Sequence, residues 1–220
     1  MDRRIFNTIA FFSIFCLFCV NQLSCVSSDH TGSGKKELYH SSEFTPASSF
    51  THGVEGPAVD KSGNVYAVNF GHEGTIGIIP LNSVPSLFVQ LPVGSIGNGI
   101  RFNSHGDMLI ADYKMHNILK VEMNTKTISV YAHNSEMTQP NDLAIDSKDV
   151  IYASDPDFKA NTGRIWKVDT HGHVTLVDSM SSIANGIEVS PDEKKLYVDL
   201  TEKFFLTISI TREVWVIKSY

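Results

Sequence analysis

The sequence predicts an all-β protein, a β-propeller of four-stranded blades. Three observations carry that expectation. One polar phrase recurs at a fixed phase, with Glu55, Asn98, Asn141 and Asn185 spaced 43, 43 and 44 residues apart. Each phrase runs into an alternating apolar segment, a polar turn and a second apolar segment. No long helical periodicity competes with this pattern after residue 48. Repeats of about 40 to 45 residues made of short strands are the signature of propeller blades, whose equivalent positions meet around a central axis.

Taken in chain order, residues 1–24 read as an export signal: Arg3 and Arg4, an apolar run from Ile5 to Val20, then a polar stretch. The run is short for a membrane span, which needs about 20 apolar residues. All three cysteines, Cys16, Cys19 and Cys25, lie in or just after this segment, so no disulfide is expected in the folded part. Gln22-Leu23-Ser24-Cys25 is similar to a bacterial lipobox with Gln22 where leucine is usual. Two outcomes stay open: lipidation of Cys25, giving an envelope lipoprotein, or ordinary cleavage near Ser24, giving a secreted or periplasmic protein. Residues 25–47, rich in Ser, Gly, Lys and His, read as a flexible tether.

Residues 48–220 hold the propeller. The first unit turns at Lys61-Ser62-Gly63-Asn64 into Val65-Tyr66-Ala67-Val68. The second turns at Ser104-His105-Gly106-Asp107 into Met108–Asp112, followed by strands at Ile118–Val121 and Ile128–Tyr131. In the third, Ser147-Lys148-Asp149 leads into Val150–Asp155, and Asp169-Thr170-His171-Gly172 joins Arg164–Val168 to His173–Val177 as a hairpin. The fourth turns at Pro191–Lys195 into Leu196–Asp199. Its second half lacks a Gly or Asp turn, although Val214-Trp215-Val216-Ile217 still has strand character. Four units of this length fill the segment, so either the last blade is irregular or the fold is incomplete at residue 220.

The four phased residues should converge on the axis. One carboxylate and three amide oxygens suit a hard cation, Ca²⁺ first among them. The competing reading makes Glu55 a solvated turn residue and the asparagines backbone satisfiers at blade tops. By strand alternation Asp142 faces away from the axis and is structural, and Asp112 and Asp155 cap turns. The formal net charge of −6 and the lack of a basic stripe argue against a nucleic-acid partner. The nine histidines are scattered, which does not suit a zinc site. No nucleophile elbow, phosphate-binding loop or dinucleotide fingerprint occurs.

Several phrases together resemble the gluconolactonase and regucalcin-like family over residues 48 to 200. They are Glu55-Gly56-Pro57, Gln139-Pro140-Asn141-Asp142, Ile151-Tyr152-Ala153-Ser154-Asp155-Pro156, Gly163–Asp169, Ala184-Asn185-Gly186-Ile187, Ser190-Pro191-Asp192 and Leu196-Tyr197-Val198. The resemblance implies a six-bladed propeller, of which about four blades are present here. It also implies a divalent metal in the axial tunnel, whether Ca²⁺, Zn²⁺, Mg²⁺ or Mn²⁺, and hydrolysis of a small lactone or sugar-derived ester. It makes Glu55, Asn141 and Asn185 metal ligands and assigns Asn98 and Asn141 to substrate. The family's further aspartate, a ligand and proposed base, belongs to a fifth blade beyond residue 220, which leaves the catalytic residue unassigned and weak or no turnover as the expectation. Two alternatives stand: a non-catalytic exported binding propeller at the cell envelope, and an inactive product of a longer reading frame. Membrane contact is expected only through a lipid on Cys25.

Overall fold

The computed structural model describes residues 41–81, 83–201, 203–210 and 217–218. The signal segment, most of the 25–47 tether, Cys25 and Val214–Val216 lie outside the described residues. The chain divides into Met1–Ser42 and Glu43–Tyr220, and the second unit holds every strand described below.

Four antiparallel sheets of four strands follow one another along the chain. The first is β1 (Ala58–Val59), β2 (Val65–Val68), β3 (Thr75–Ile79) and β4 (Ser86–Gln90). The second is β5 (Gly97–Phe102), β6 (Met108–Asp112), β7 (Asn117–Glu122) and β8 (Thr127–His133). The third is β9 (Leu143–Ile145), β10 (Ile151–Asp157), β11 (Thr162–Val168) and β12 (Val174–Met180). The fourth is β13 (Ala184–Val189), β14 (Lys195–Leu200), β15 (Lys203–Ser209) and β16 (Ile217–Lys218). Within every sheet the spatial order is the chain order, and the first strands β1, β5, β9 and β13 neighbour one another in turn. That is a four-blade propeller arrangement with the first strands innermost. The fourth blade, for which the sequence left an irregular blade or an incomplete fold open, has strands β13 to β16 paired in chain order among the described residues, with Thr207 paired to Lys218 and Ile208 to Ile217.

The core lies between blades. Met108 and Ile110 of β6 pack with Tyr66, Val68 and Ile76 of the first blade, while Leu109 and Ala111 pack with Leu143, Ile151 and Trp166 of the third. A strand covered on both faces needs no polar alternation, which is why Met108-Leu109-Ile110-Ala111 is continuously apolar. Removal of each larger side chain, Met108, Leu109 and Ile110, from water contributes about 1.5–3 kcal/mol. A third layer joins Ala144, Tyr152 and Ile165 to Ile187, Leu196 and Val198. On β14 the buried residues Leu196, Val198 and Leu200 alternate with exposed Lys195, Tyr197 and Asp199.

The turns joining first to second strands explain the polar residue that opens each one. Asp60 Oδ1 accepts from the Ser62 and Asn64 N–H groups, and Asp146 Oδ1 accepts from those of Lys148 and Val150. Asn103 and Ser190 receive Asp107 and Lys195 N–H in the same way. Near the end of each turn a residue adopts the left-handed conformation: Gly63, Gly106, Asp149 and Glu193, at φ of 84°, 88°, 62° and 54°.

Candidate functional site

Each phased residue stands at the entrance to an innermost strand, or in its first residues. Glu55 lies ahead of β1, Asn98 in β5, Asn141 ahead of β9 and Asn185 in β13. Two cavities, of about 290 and about 400 Å³, meet at these positions. The two linings have four residues in common: Glu55, Asn98, Asn141 and Asn185. The phase of the repeat therefore brings one carboxylate and three carboxamides to the waist between two cavities. None of the four side chains makes a hydrogen bond or ion pair with another described residue. That leaves their side-chain oxygens and amide groups without a protein hydrogen-bond partner among the described residues.

Backbone contacts place the waist. The Gly99 N–H donates to Asn141 O at 2.7 Å, carrying the second blade onto the third. Ser154, fully buried, accepts the Asp142 N–H on its hydroxyl at 3.0 Å and donates that hydroxyl to Asn185 O, joining the third blade to the fourth. A short residue after the phased position makes these approaches possible. A Cβ on Gly56, where φ is +55°, would sit 2.0 Å from Asn98 O.

Asp112 and Asp155 are structural, as the sequence indicates. Asp112 accepts from Ile96 N–H at 3.1 Å, two residues ahead of Asn98. Asp155 accepts from Thr138 N–H at 2.9 Å and from the Trp166 indole at 2.8 Å, fixing the loop that carries Asn141. Asp142 is held by protein partners, as a structural residue should be, but its direction departs from expectation. The alternation argument turns it from the axis, yet it lines the larger cavity, with Oδ1 3.3 Å from Arg101 Nη2 and Oδ2 receiving Ile187 N–H at 3.2 Å. Alternation holds only within a strand, and β9 begins one residue later, at Leu143.

Sequence reasoning also passed over Arg101. It stands three residues after Asn98, at the phase where Glu188 follows Asn185, and its Nη2 lies 3.7 Å from Glu188 Oε2. Two charges of opposite sign at one phase of innermost strands were the available signal. The smaller cavity is walled by Glu73, Tyr113, Gln139 and Phe158 as well as the waist. Burial, then the negative charges of Glu73 and Asp112, pushes the Tyr113 phenol above its ordinary range, so it remains a hydrogen-bond donor at neutral pH. Among the described residues no three His, Cys, Asp or Glu side chains cluster, so any cation here depends on amide oxygens.

The model of the SMP-30/Gluconolactonase/LRE-like region family matches residues 83–217, more than half of the chain. A gluconolactonase of Zymomonas mobilis is 28% identical over 120 residues, covering 48% of this chain and 34% of that protein. Among solved structures, a gluconolactonase from Xanthomonas campestris superposes with a TM-score of 0.66 at 14% identity, over 76% of this chain and 62% of that one. Regucalcin from Agrobacterium tumefaciens, a calcium-binding protein, gives 0.61 at 22% identity, over 74% and 58%. At such identities the structural likeness concerns the fold. The chain spans about a third of the length of that curated relative and about three-fifths of those solved chains.

Proposed function

We propose, for a chain that belongs to the SMP-30/gluconolactonase/LRE-like family, that it is a divalent-cation-dependent hydrolase of small lactones. The observation that carries the reading is the shared waist: four in-phase, oxygen-bearing side chains are the residues common to two adjoining cavities. Glu55, Asn141 and Asn185 would hold the cation, Ca²⁺ or a comparable divalent ion. When bound, such an ion supplies Lewis acidity at the lactone carbonyl and stabilises the oxyanion that forms. Asn98 and Asn141 offer amide N–H groups to ring and hydroxyl oxygens, and the Tyr113 hydroxyl adds a third donor from the cavity wall. The cavity of about 290 Å³ is suited to a substrate of monosaccharide size. Export is part of the same reading: Cys25→Ser should move the protein from the membrane fraction to the soluble one if Cys25 carries a lipid.

The test is acid release from glucono-δ-lactone by the purified full chain, with Ca²⁺, Mn²⁺ or Zn²⁺ and then with a chelator. Cation-dependent turnover that the chelator abolishes is the expected result, however slow. Turnover indifferent to the chelator, or none with any of the three ions, overturns the reading. Cation and sugar binding without turnover would make the protein a binding propeller instead.

A further inference from the structure

In the four repeats, the residue following the phased position is Gly56, Gly99, Asp142 or Gly186. The third repeat alone places a side chain there, and that side chain spans three blades. Its Oδ1 accepts the Leu143 N–H at 2.8 Å and faces Arg101 Nη2 at 3.3 Å, while Oδ2 accepts the Ile187 N–H at 3.2 Å. Arg101 lies three residues past Asn98, Asp142 one past Asn141, and Ile187 two past Asn185. One carboxylate thus accepts backbone N–H groups beside Asn141 and Asn185 and meets, near Asn98, the guanidinium of the Arg101 side chain. Gly99 makes room for it, since a Cβ there would sit 2.7 Å from Asp142 Oδ1.

The waist side chains have no hydrogen bonds of their own to described residues, so their spacing depends on the backbone beneath them. Calcium affinity depends on the rigidity of the oxygen set as well as on its charge. The Asp142 and Arg101 side chains are about one-quarter exposed, at 23% and 25%, so their attraction is only partly screened. We propose that Asp142, held by Arg101, is a positioning residue that fixes the separation of Asn98, Asn141 and Asn185 around the cation. This rests on the cation-binding reading above, in which neither Asp142 nor Arg101 is a ligand.

The experiment is calorimetric titration of the full chain with Ca²⁺, run beside thermal unfolding without added cation. The proteins are wild type, Asp142→Asn, Arg101→Gln, Arg101→Lys, Glu55→Gln and Asp149→Ala. Asp149→Ala removes a carboxylate that joins the third blade to the second away from the waist, where it accepts the Ser104 N–H and hydroxyl at 2.7 and 2.6 Å, and controls for loss of stability alone. Asp142→Asn and Arg101→Gln should each weaken Ca²⁺ binding about tenfold, Arg101→Lys should recover part of that loss, and Asp149→Ala should stay within about twofold of wild type at a comparable fall in Tm. If Asp142→Asn binds like wild type while Glu55→Gln does not, this proposal fails and the functional reading stands. Equal weakening by Asp149→Ala would reduce Asp142 to a stability role and overturn the proposal. Absence of Ca²⁺ uptake by the wild-type protein overturns both.

Discussion

Ser104 of the second blade gives both its backbone N–H and its hydroxyl to the carboxylate of Asp149 in the third, at 2.7 and 2.6 Å. The clasp recurs one period later, where Ser147 gives the same two groups to Glu193 at 2.8 and 2.9 Å. Both acids occupy the left-handed turn position that the first two blades fill with Gly63 and Gly106. Between those first two blades the link is instead Lys61 Nζ to Ser104 O at 3.0 Å.

Asp149→Ala should therefore destabilise the fold. Hydrogen bonds to a charged group contribute about 1.5–3 kcal/mol net in favourable settings, and at this partly exposed site about 1–2 kcal/mol in total is expected. Asp149→Gly loses the same bonds but recovers about 1 kcal/mol of left-handed strain, so its urea midpoint should lie above that of Asp149→Ala. An Asp149→Ala midpoint equal to wild type would show the clasp to be energetically idle.

Two glycines of the phased phrase should respond differently to alanine. A Cβ on Gly99 meets Asp142 Oδ1, Asp142 Cα and Asn141 O at 2.7, 2.8 and 2.9 Å, and the backbone atoms can yield only by moving the blades apart. On Gly186 the nearest atom is Asp199 Cβ at 3.5 Å, an ordinary contact. Gly99→Ala should cost about 1–3 kcal/mol and Gly186→Ala less than about 1 kcal/mol. The reverse order in chemical denaturation would mean that the waist is packed differently.

Glu55 is the carboxylate common to both cavities, so Glu55→Gln removes charge from the proposed ligand set without changing its shape. A cation at a hundredfold excess over its Kd stabilises a folded protein by about 2.7 kcal/mol. Wild type should gain thermal stability of that order with Ca²⁺, and Glu55→Gln should lose most of the gain. The same Ca²⁺-induced rise in Tm in both proteins removes Glu55 from the ligand set.

Alkaline stability should fall through a defined window. Burial, then the hydrogen bond and charge of Asp60, pushes the Tyr66 phenol up to about 12, and burial with the charges of Asp146 and Glu193 does the same for Tyr152. Unfolded tyrosine releases its proton near pH 10. Between about pH 10 and 12 the unfolded chain therefore binds fewer protons than the folded one, and stability falls as pH rises. Below about pH 10 these two groups contribute no slope. Unfolding free energies measured across the window should decline, less steeply for Tyr66→Phe, whereas a flat profile in wild type would contradict the buried placement of both phenols.

Much of this organisation is legible in the chain itself. The second strand of the first blade was expected over Val65–Val68 and that of the second over Met108–Asp112, and both stand at those bounds. Alternation or continuous apolarity encodes such strands locally, so a window of a few residues suffices. The Asp169-Thr170-His171-Gly172 hairpin was equally readable, closing with Gly172 N–H on Asp169 O at 3.0 Å. Strand ends were less so: β10 and β12 run two and three residues past their expected limits, because pairing with a neighbouring strand, and not local pattern, decides where a ladder stops.

By itself the sequence determined the period, the blades and the gathering of Glu55, Asn98, Asn141 and Asn185, because equal spacing in a radial fold places equal phases together. Tertiary structure alone decided which side chains cross between blades: Asp149 to Ser104, Asp142 to Arg101 and Ile187, and Ser154 to Asn185. Those partners lie 31 to 45 residues apart, and Ser104, Asp142 and Asp149 stand in turns or at a strand entrance, outside the runs where alternation gives a side chain its direction. Their orientation follows from how the packed blades bring one backbone against the next, a consequence of the assembled core that no local pattern of residues carries.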